Sequence, residues 1–303
     1  MKILIFGAGK WGQILQKFIE SHPNNILVGF IDNNLCVSEI NGHCVYKASA
    51  VHSIEYDQII IAVSKYEALN EIRNQLVDFN VPTDKITSIL ENEKLFVDVF
   101  SQRDNLYNEK TDPRVQWLRY FSKYVEKEKI LGSVAECGVY MGDFAAYINK
   151  YFATRKLYLF DTFEGFTEQD LAIERKIKDE AFLSGRFNSN WQFTTNNEEI
   201  ARRKMPYVEQ VEFHKGYFPE TAKGIEDMFC FVNLDMDLYH PMLAGLEYFY
   251  PQMSAGGVLL LHDYFREDLP GVKKAVNDYE RNHNIYLAKI PIGDECSLAI
   301  TKV

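Results

Sequence analysis

The sequence predicts an α/β protein of two domains: a small parallel sheet, then a larger doubly wound parallel sheet that ends in an antiparallel hairpin. Three observations lead there. At 303 residues the chain is about twice a typical domain, and its 47% apolar and 14% aromatic content is ample for two cores. Short β-rich runs alternate with stretches of helical periodicity along most of the chain. Finally, the runs Ile285–Ile292 and Cys296–Val303 flank Gly293-Asp294-Glu295, which reads as a hairpin loop. Residues 1–92 are expected to form the first domain, 93–112 a polar linker ending at Asp112-Pro113, and 113–303 the second domain.

In the first domain Ile3–Phe6, Ile26–Ile31 and Ile59–Val63 are β-rich, and Ile86–Leu90 is a weaker run. Ile14, Leu15, Phe18 and Ile19 sit at helical spacing between them, as do Leu69, Ile72, Leu76 and Phe79. The turn after the first strand reads Gly7-Ala-Gly9-Lys-Trp-Gly12, and Asp32 ends the next strand 20 residues after Gly12. A dinucleotide-binding, Rossmann-like fingerprint needs this context: a tight turn, close backbone approach to a pyrophosphate, and an acid for ribose hydroxyls. Gly7, Gly9, Gly12 and Asp32 are therefore candidate ligands of a nucleotide or NAD, with a structural remnant as the alternative. No Tyr-x-x-x-Lys pair accompanies them in residues 1–90, so chemistry is not expected there. These runs resemble the N-terminal nucleotide-binding domains of bacterial sugar-modifying proteins such as sugar acyltransferases and dehydratases.

The net charge of −10 argues against nucleic acid or an anionic membrane as partner. The basic trio Arg202-Arg203-Lys204 reads as a solvated helix face in preference to an anion site. Five cysteines at 36, 44, 137, 230 and 296 form no Cys-x-x-Cys pair, which suggests a reducing, cytoplasmic setting. No apolar stretch approaches the roughly 18 residues of a membrane span. The expected partner is a small-molecule or glycan acceptor, and a homo-oligomer is allowed.

The second domain opens with a helix over about 114–129, whose inner face is expected to carry Val115, Leu118, Phe121 and Val125. Strands are predicted at Val134–Glu136, Leu157–Asp161, Val211–His214, Phe229–Asp235 and Val258–Asp263. Ligands collect beyond the carboxyl ends of such strands. Glu136, Asp161, Asp235 and Asp263 fall there, 28 residues separating the last two, and Asp237 follows closely. Glycines at 138 and 142 permit close backbone approach, with Asp143 as a helix cap. Glu136 is wrong for a diphosphate but suits a cationic, phosphate-free cofactor such as S-adenosylmethionine. Asp161 is placed to accept hydrogen bonds from both ribose hydroxyls. The polar stretch 184–197 suits a water-excluding lid.

Ala135-Glu-Cys-Gly-Val-Tyr-Met-Gly-Asp143, Leu157-Tyr-Leu-Phe-Asp-Thr-Phe-Glu-Gly-Phe166, His214-Lys-Gly-Tyr-Phe-Pro-Glu-Thr221, Asn233-Leu-Asp-Met-Asp-Leu-Tyr239 and Gly256-Gly-Val-Leu-Leu-Leu-His-Asp-Tyr264 together resemble the macrocin O-methyltransferase (TylF-type) family. The resemblance spans roughly residues 112–303. It implies a class I S-adenosylmethionine-dependent methyltransferase fold and methylation of sugar hydroxyls, assisted by a divalent cation, usually Mg2+. Cofactor contacts are then expected at Glu136, Gly138, Tyr140, Gly142, Asp161, Thr162, Phe163 and Gly216. The resemblance implies Asp235 and Asp263 as metal ligands and Asp237 as general base. The family commonly has two adjacent acids where this chain has His262-Asp263, so His262 is a candidate ligand, base or substrate-orienting group. Phe163, Phe166 and Trp191 wall the adenine or substrate, or else belong to the core.

Plainer readings stand beside these. Acids at strand ends also cap helices or pair with neighbouring bases, and Asp-x-Asp alternation could turn Asp237 out of the cleft. The leading expectation is an O-methyltransferase acting on a sugar of a nucleotide, polysaccharide or glycosylated natural product, with surface polysaccharide biosynthesis a natural setting. The rivals are an NAD(P)-dependent sugar oxidoreductase or epimerase centred on Gly7–Gly12, and a non-catalytic nucleotide-binding scaffold.

Overall fold

The computed structural model describes residues 1–34, 36–177 and 197–303, which divide into two units, Met1–Asp104 and Asn105–Val303. The first contains β1 (Lys2–Phe6), α1 (Lys10–Glu20), β2 (Ile26–Ile31), β3 (Glu39–Ile40), β4 (His43–Tyr46), β5 (Gln58–Ile61), α2 (Tyr66–Asp78), β6 (Ile86–Ser88) and α3 (Glu93–Ser101). Its sheet runs β3-β4-β2-β1-β5-β6, antiparallel only at β3–β4. Ile3, Leu4, Ile5 and Phe6 are all buried, because a central parallel strand is covered on both faces and cannot alternate with polar residues. Gly12 lies so close to β1 that a Cβ there would meet the Gly7 carbonyl oxygen at 1.8 Å.

Two features of this unit differ from the sequence reading. The β3–β4 hairpin turns at Asn41-Gly42, both with positive φ, and its strands are too short for alternation to show. Helix α3 occupies part of the stretch 93–112 expected to be a linker. Asn92 caps it by accepting from Leu95 N at 2.9 Å, and Phe96 and Phe100 pack on Trp11 at ring separations of 5.9 and 4.7 Å. The surrounding acids concealed its apolar face, and the first unit therefore extends to Asp104.

The second unit contains α4 (Pro113–Lys127), β7 (Ser133–Cys137), α5 (Asp143–Tyr151), β8 (Leu157–Asp161), α6 (Glu168–Ile177), α7 (Glu198–Lys204), β9 (Val211–Lys215), β10 (Phe229–Leu234), α8 (Tyr239–Phe249), β11 (Met253–Leu261), α9 (Pro270–His283), β12 (Ala288–Pro291) and β13 (Leu298–Thr301). The sheet order is β12-β13-β11-β10-β7-β8-β9, parallel except where β13 pairs with β11 and β12. This is the doubly wound sheet with a C-terminal antiparallel hairpin that the sequence predicts. Strand order reverses between the neighbours β7 and β10, and a cleft opens at such a point.

Helix α4 begins where Asp112 accepts from Val115 N at 3.1 Å and Pro113 sets the first turn. Its Val115, Leu118, Phe121 and Val125 are buried as expected. Helix α5 is capped by Gly142 at φ +78°, not by Asp143, because a Cβ at 142 would meet Ala201 at 2.8–2.9 Å. Asp143 instead lies in the first turn, buried against Lys204 at 2.9 Å. Lys204 is thus not solvated, whereas Arg202 and Arg203 pair along the helix with Glu198 and Glu199. Among the described residues no helix is long and apolar enough to cross a membrane.

Phe231, at the centre of β10, is fully buried among the rings of Trp117, Phe121 and Phe152. Phe231→Ala is expected to destabilise the second unit by about 3–5 kcal/mol, read as a lowered urea midpoint by circular dichroism.

Candidate active site

The carboxyl ends of β7, β8, β10 and β11 bring Glu136, Asp161, Asp235, Asp237, His262 and Asp263 to the wall of one cavity of about 280 Å³. These residues are spread over 128 positions of sequence, and parallel strand order alone makes them neighbours.

At one side lies Glu136, 1% exposed. Its Oε1 accepts from Asn233 Nδ2 at 2.8 Å, since β7 and β10 pair these two residues in register. Among the described residues its Oε2 is buried without a hydrogen-bond partner. Burial, then the charge of Asp235, holds this carboxyl well above the ordinary range. An orphaned acidic oxygen beside a cavity calls for a donor, preferably cationic, which suits the ammonium group of S-adenosylmethionine. Asp161 lines the same cavity, but its oxygens also organise the backbone. Oδ2 accepts from Val139 N at 2.7 Å and Tyr140 N at 2.8 Å, and Oδ1 accepts from Phe163 N at 2.7 Å. Asp161 thus holds the turn that carries Tyr140 as well as lining the cavity.

Gly138, Tyr140, Thr162, Phe166 and Gly216 line the cavity as well. Two expected cofactor contacts do not. Phe163 is packed in the hydrophobic core, because its side chain turns inward while its N–H serves Asp161. Gly142 is absent from the lining and is spent on close packing against α7. Trp191 and the stretch read as a lid, apart from Asn197, lie outside the described residues.

At the other side the charges are denser. Arg114 of α4 is 2% exposed, and its Nη2 donates to Asn233 Oδ1 at 2.8 Å and Asp235 Oδ2 at 3.0 Å. Its guanidinium lies 3.9 Å from the centre of the Phe144 ring. Burial opposes the charge on Arg114, but Asp235, Tyr107 and Glu136 hold it firmly protonated. Burial would raise Asp235, yet His262 and Arg114 outweigh it and hold this carboxyl below its usual value. Asp237 goes the other way: burial and the neighbouring Asp263, with which it shares a hydrogen bond, push it well above the ordinary range.

His262 Nδ1 sits 3.1 Å from Asp235 Oδ1 and 3.2 Å from Asp263 Oδ2. At these ion-pairing distances burial opposes a charge on the ring, but Asp235 and then Asp263 hold the imidazole firmly protonated. Asp235, Asp237 and Asp263 also place one oxygen each within 4.8 Å of one another. Three carboxylate oxygens so close together are a donor set that fits a hard divalent cation.

The sequence reading missed Arg114, although its spacing to Leu118, Phe121 and Val125 places it on the buried face of α4. It also missed a polar cluster in the cavity wall. Tyr217 Oη donates to Asp170 Oδ1 at 2.8 Å, and His240 Nδ1 lies 2.9 Å from both. Nothing local in the sequence marks these residues, which α6, the loop after β9 and the start of α8 bring together.

In the first unit, Ala8 N donates to Asp32 Oδ2 at 3.0 Å, so the candidate ribose acid is tied to the glycine turn. Gly7 and Gly12 serve close packing, whereas a Cβ on Gly9 would meet nothing within 4 Å.

Residues 108–297 match the family described as Macrocin-O-methyltransferase (TylF), and residues 1–87 match one described as C2185-like, N-terminal. The chain is 24% identical over 184 residues to the 8-demethyl-8-(2,3-dimethoxy-alpha-L-rhamnosyl)-tetracenomycin-C 4'-O-methyltransferase of Streptomyces olivaceus, covering 57% of this chain and 67% of that one. It is 26% identical over 221 residues to the demethyldecarbamoylnovobiocin O-methyltransferase of Streptomyces niveus, covering 65% and 79%. The solved structure of the O-methyltransferase NovP superposes with a TM-score of 0.53 at 22% identity, over 70% of this chain and 100% of that one, and establishes the shared fold.

Arg114→Met would leave Asp235 and Asn233 without their buried cationic donor. A loss of about 3–5 kcal/mol is expected in denaturant unfolding of the second unit, because an uncompensated buried charge costs more than the pair contributes.

Proposed function

The chain belongs to the macrocin O-methyltransferase family, and from that premise we propose that its second unit moves a methyl group from S-adenosylmethionine to a sugar hydroxyl beside Asp237. One observation carries the reading: a single cavity has, among the described residues, an orphaned acid oxygen at Glu136 on one side and the Asp235–Asp237–Asp263 carboxylate set on the other. The names of the relatives, a rhamnosyl-tetracenomycin and a novobiocin methyltransferase, support a glycosylated small molecule as acceptor.

In the proposed mechanism Glu136 receives the ammonium of the methyl donor, and Asp161 holds the turn that carries Tyr140 against it. The acceptor oxygen forms a bond to the methyl carbon as the sulfur–carbon bond breaks, and Asp237 in its ionised form, which a cation offsetting the charge of Asp263 would favour, takes the hydroxyl proton. Asp235 and Asp263 would hold a divalent cation, which when bound lowers the pKa of the acceptor hydroxyl and orients it, with His262 paired to both carboxylates. Arg114, through Asp235, keeps that carboxylate in place. The free cysteines accord with a reducing cytoplasmic setting.

The test is transfer of a labelled methyl group to nucleotide sugars and glycosides, paired with calorimetric binding of S-adenosylmethionine. Asp161→Ala is expected to abolish that binding. Asp235→Asn is expected to keep it within a few-fold while turnover stops, and Asp237→Asn to lower kcat by about 10²–10⁴. Full turnover by Asp235→Asn, or unchanged binding by Asp161→Ala, would overturn the assignments.

The first unit has a separate proposed role, gripping the nucleotide of a nucleotide-linked sugar, supported by the open approach at Gly9 and the tie from Ala8 to Asp32. Titration with a nucleoside diphosphate sugar should show binding that Gly9→Trp weakens at least tenfold. Equal binding by both proteins would remove this role.

A further inference from the structure

We propose that a cationic groove along helix α9, next to the strand-tip cavity, binds the diphosphate of a diphosphate-linked sugar, and that such a sugar is the methyl acceptor. This deepens the methyltransferase reading and rests on it. One wall of the groove, whose volume is about 630 Å³, is Pro270, Lys273, Lys274, Asn277, Asp278 and Arg281. These are spaced three and four apart and so form a single face of α9. The other wall is the loop 264–267 that follows β11. Arg266 lines both this groove and the cavity that contains Asp237 and Asp263. A single turn joins the two, since Arg266 N donates to Asp263 O at 3.2 Å. A sugar held at Asp237 therefore has a direct way for its linkage to pass Arg266 and enter the groove.

The charge of the groove sets the class of ligand. Arg266, Lys273, Lys274 and Arg281 line it against only two acids, Glu267 and Asp278, on a chain whose net charge is −10. Asp278 is buried and accepts from Lys274, from Arg281 and, at 2.9 Å, from Tyr239 Oη, so one carboxylate answers two cations. Arg266 grips Asp268 with two nitrogens and lies 3.5 Å from Asp263. Lys273 is exposed and has no ion-pair partner among the described residues. A solvated helix face with matched pairs would balance its charges, whereas this one leaves cations in excess beside an active cavity. A neutral aglycone gains nothing from that excess. A pyrophosphate linkage spreads negative charge over several acceptor oxygens, which flexible ammonium and guanidinium donors suit. At the rim Phe265, 44% exposed and edge-on to Tyr264 at 5.0 Å, offers a ring face to the group beyond the diphosphate, a nucleoside or a polyprenyl chain.

The test is calorimetry on the full chain with sodium pyrophosphate, UDP and farnesyl diphosphate, in the presence of a chelator so that no divalent ion bridges the phosphates. The wild type is expected to bind pyrophosphate, and more weakly as salt is raised. The double variant Lys273→Glu with Arg281→Glu should bind it at least tenfold more weakly. Both positions are exposed, and the denaturant midpoint of the variant reports that its fold is kept. Gly9→Trp should leave pyrophosphate binding intact, which separates the groove from the nucleotide site proposed for the first unit. In that Gly9→Trp background, UDP binding tighter than pyrophosphate would support a nucleotide carrier, and tighter farnesyl diphosphate a lipid carrier. No pyrophosphate binding by the wild type, an affinity indifferent to the double variant, or a loss confined to Gly9→Trp would each overturn the proposal. Titration of the same samples with S-adenosylmethionine separates the two levels of the argument. Donor binding persists where only the groove is wrong, and its absence from the wild type would remove the methyltransferase reading and the proposal together.

Discussion

Four carboxyl groups, Glu136, Asp235, Asp237 and Asp263, crowd the tips of three adjacent strands, and the second unit is organised around keeping that concentration of acid tolerable. An isolated ionised carboxylate removed from water costs far more than a domain's net stability, so each must be neutralised, paired or left needing a ligand. All three solutions occur here. Asp235 stays charged between Arg114 and His262, while Asp237 is driven toward its neutral form beside Asp263. Glu136 keeps one oxygen on Asn233 and leaves the other without a partner among the described residues.

The same interactions join the two ends of the cavity. Asn233 donates to Glu136 and accepts from Arg114, which in turn donates to Asp235. A continuous buried chain therefore runs from the residue proposed to receive the methyl donor to those proposed to hold the acceptor. Such a network is rigid only if its members are satisfied together. Helix α4, which precedes the sheet, is thereby part of the site through one side chain, and its aromatic neighbour Phe144 supplies the face on which the guanidinium rests.

Much of this was legible in the sequence. The β-rich runs ending in Glu136, Asp161 and Asp235 became strands within a residue or two of their expected ends, because buried parallel strands carry an uninterrupted apolar signature. Errors arose where local pattern was overruled or too brief. The apolar face of α3 was hidden among acids, and β3 has only two residues. Gly142 caps α5 in place of Asp143 because the approach of α7, a distant segment, leaves no room for a side chain. Phe163 turned into the core for a similar reason: its backbone was already committed to Asp161.

What the sequence by itself determined is the inventory: which acids stand at strand ends, that a histidine precedes the last of them, and that two α/β units follow one another. Those facts are local, set by hydrophobic periodicity and by residue identity at the end of each run. Only the tertiary structure decided which of them meet. Strand order placed β10 between β7 and β11, so residues up to 127 positions apart now share one field. Charge interactions depend on separation in space and on exclusion of water, and neither quantity is written in the order of residues along a chain.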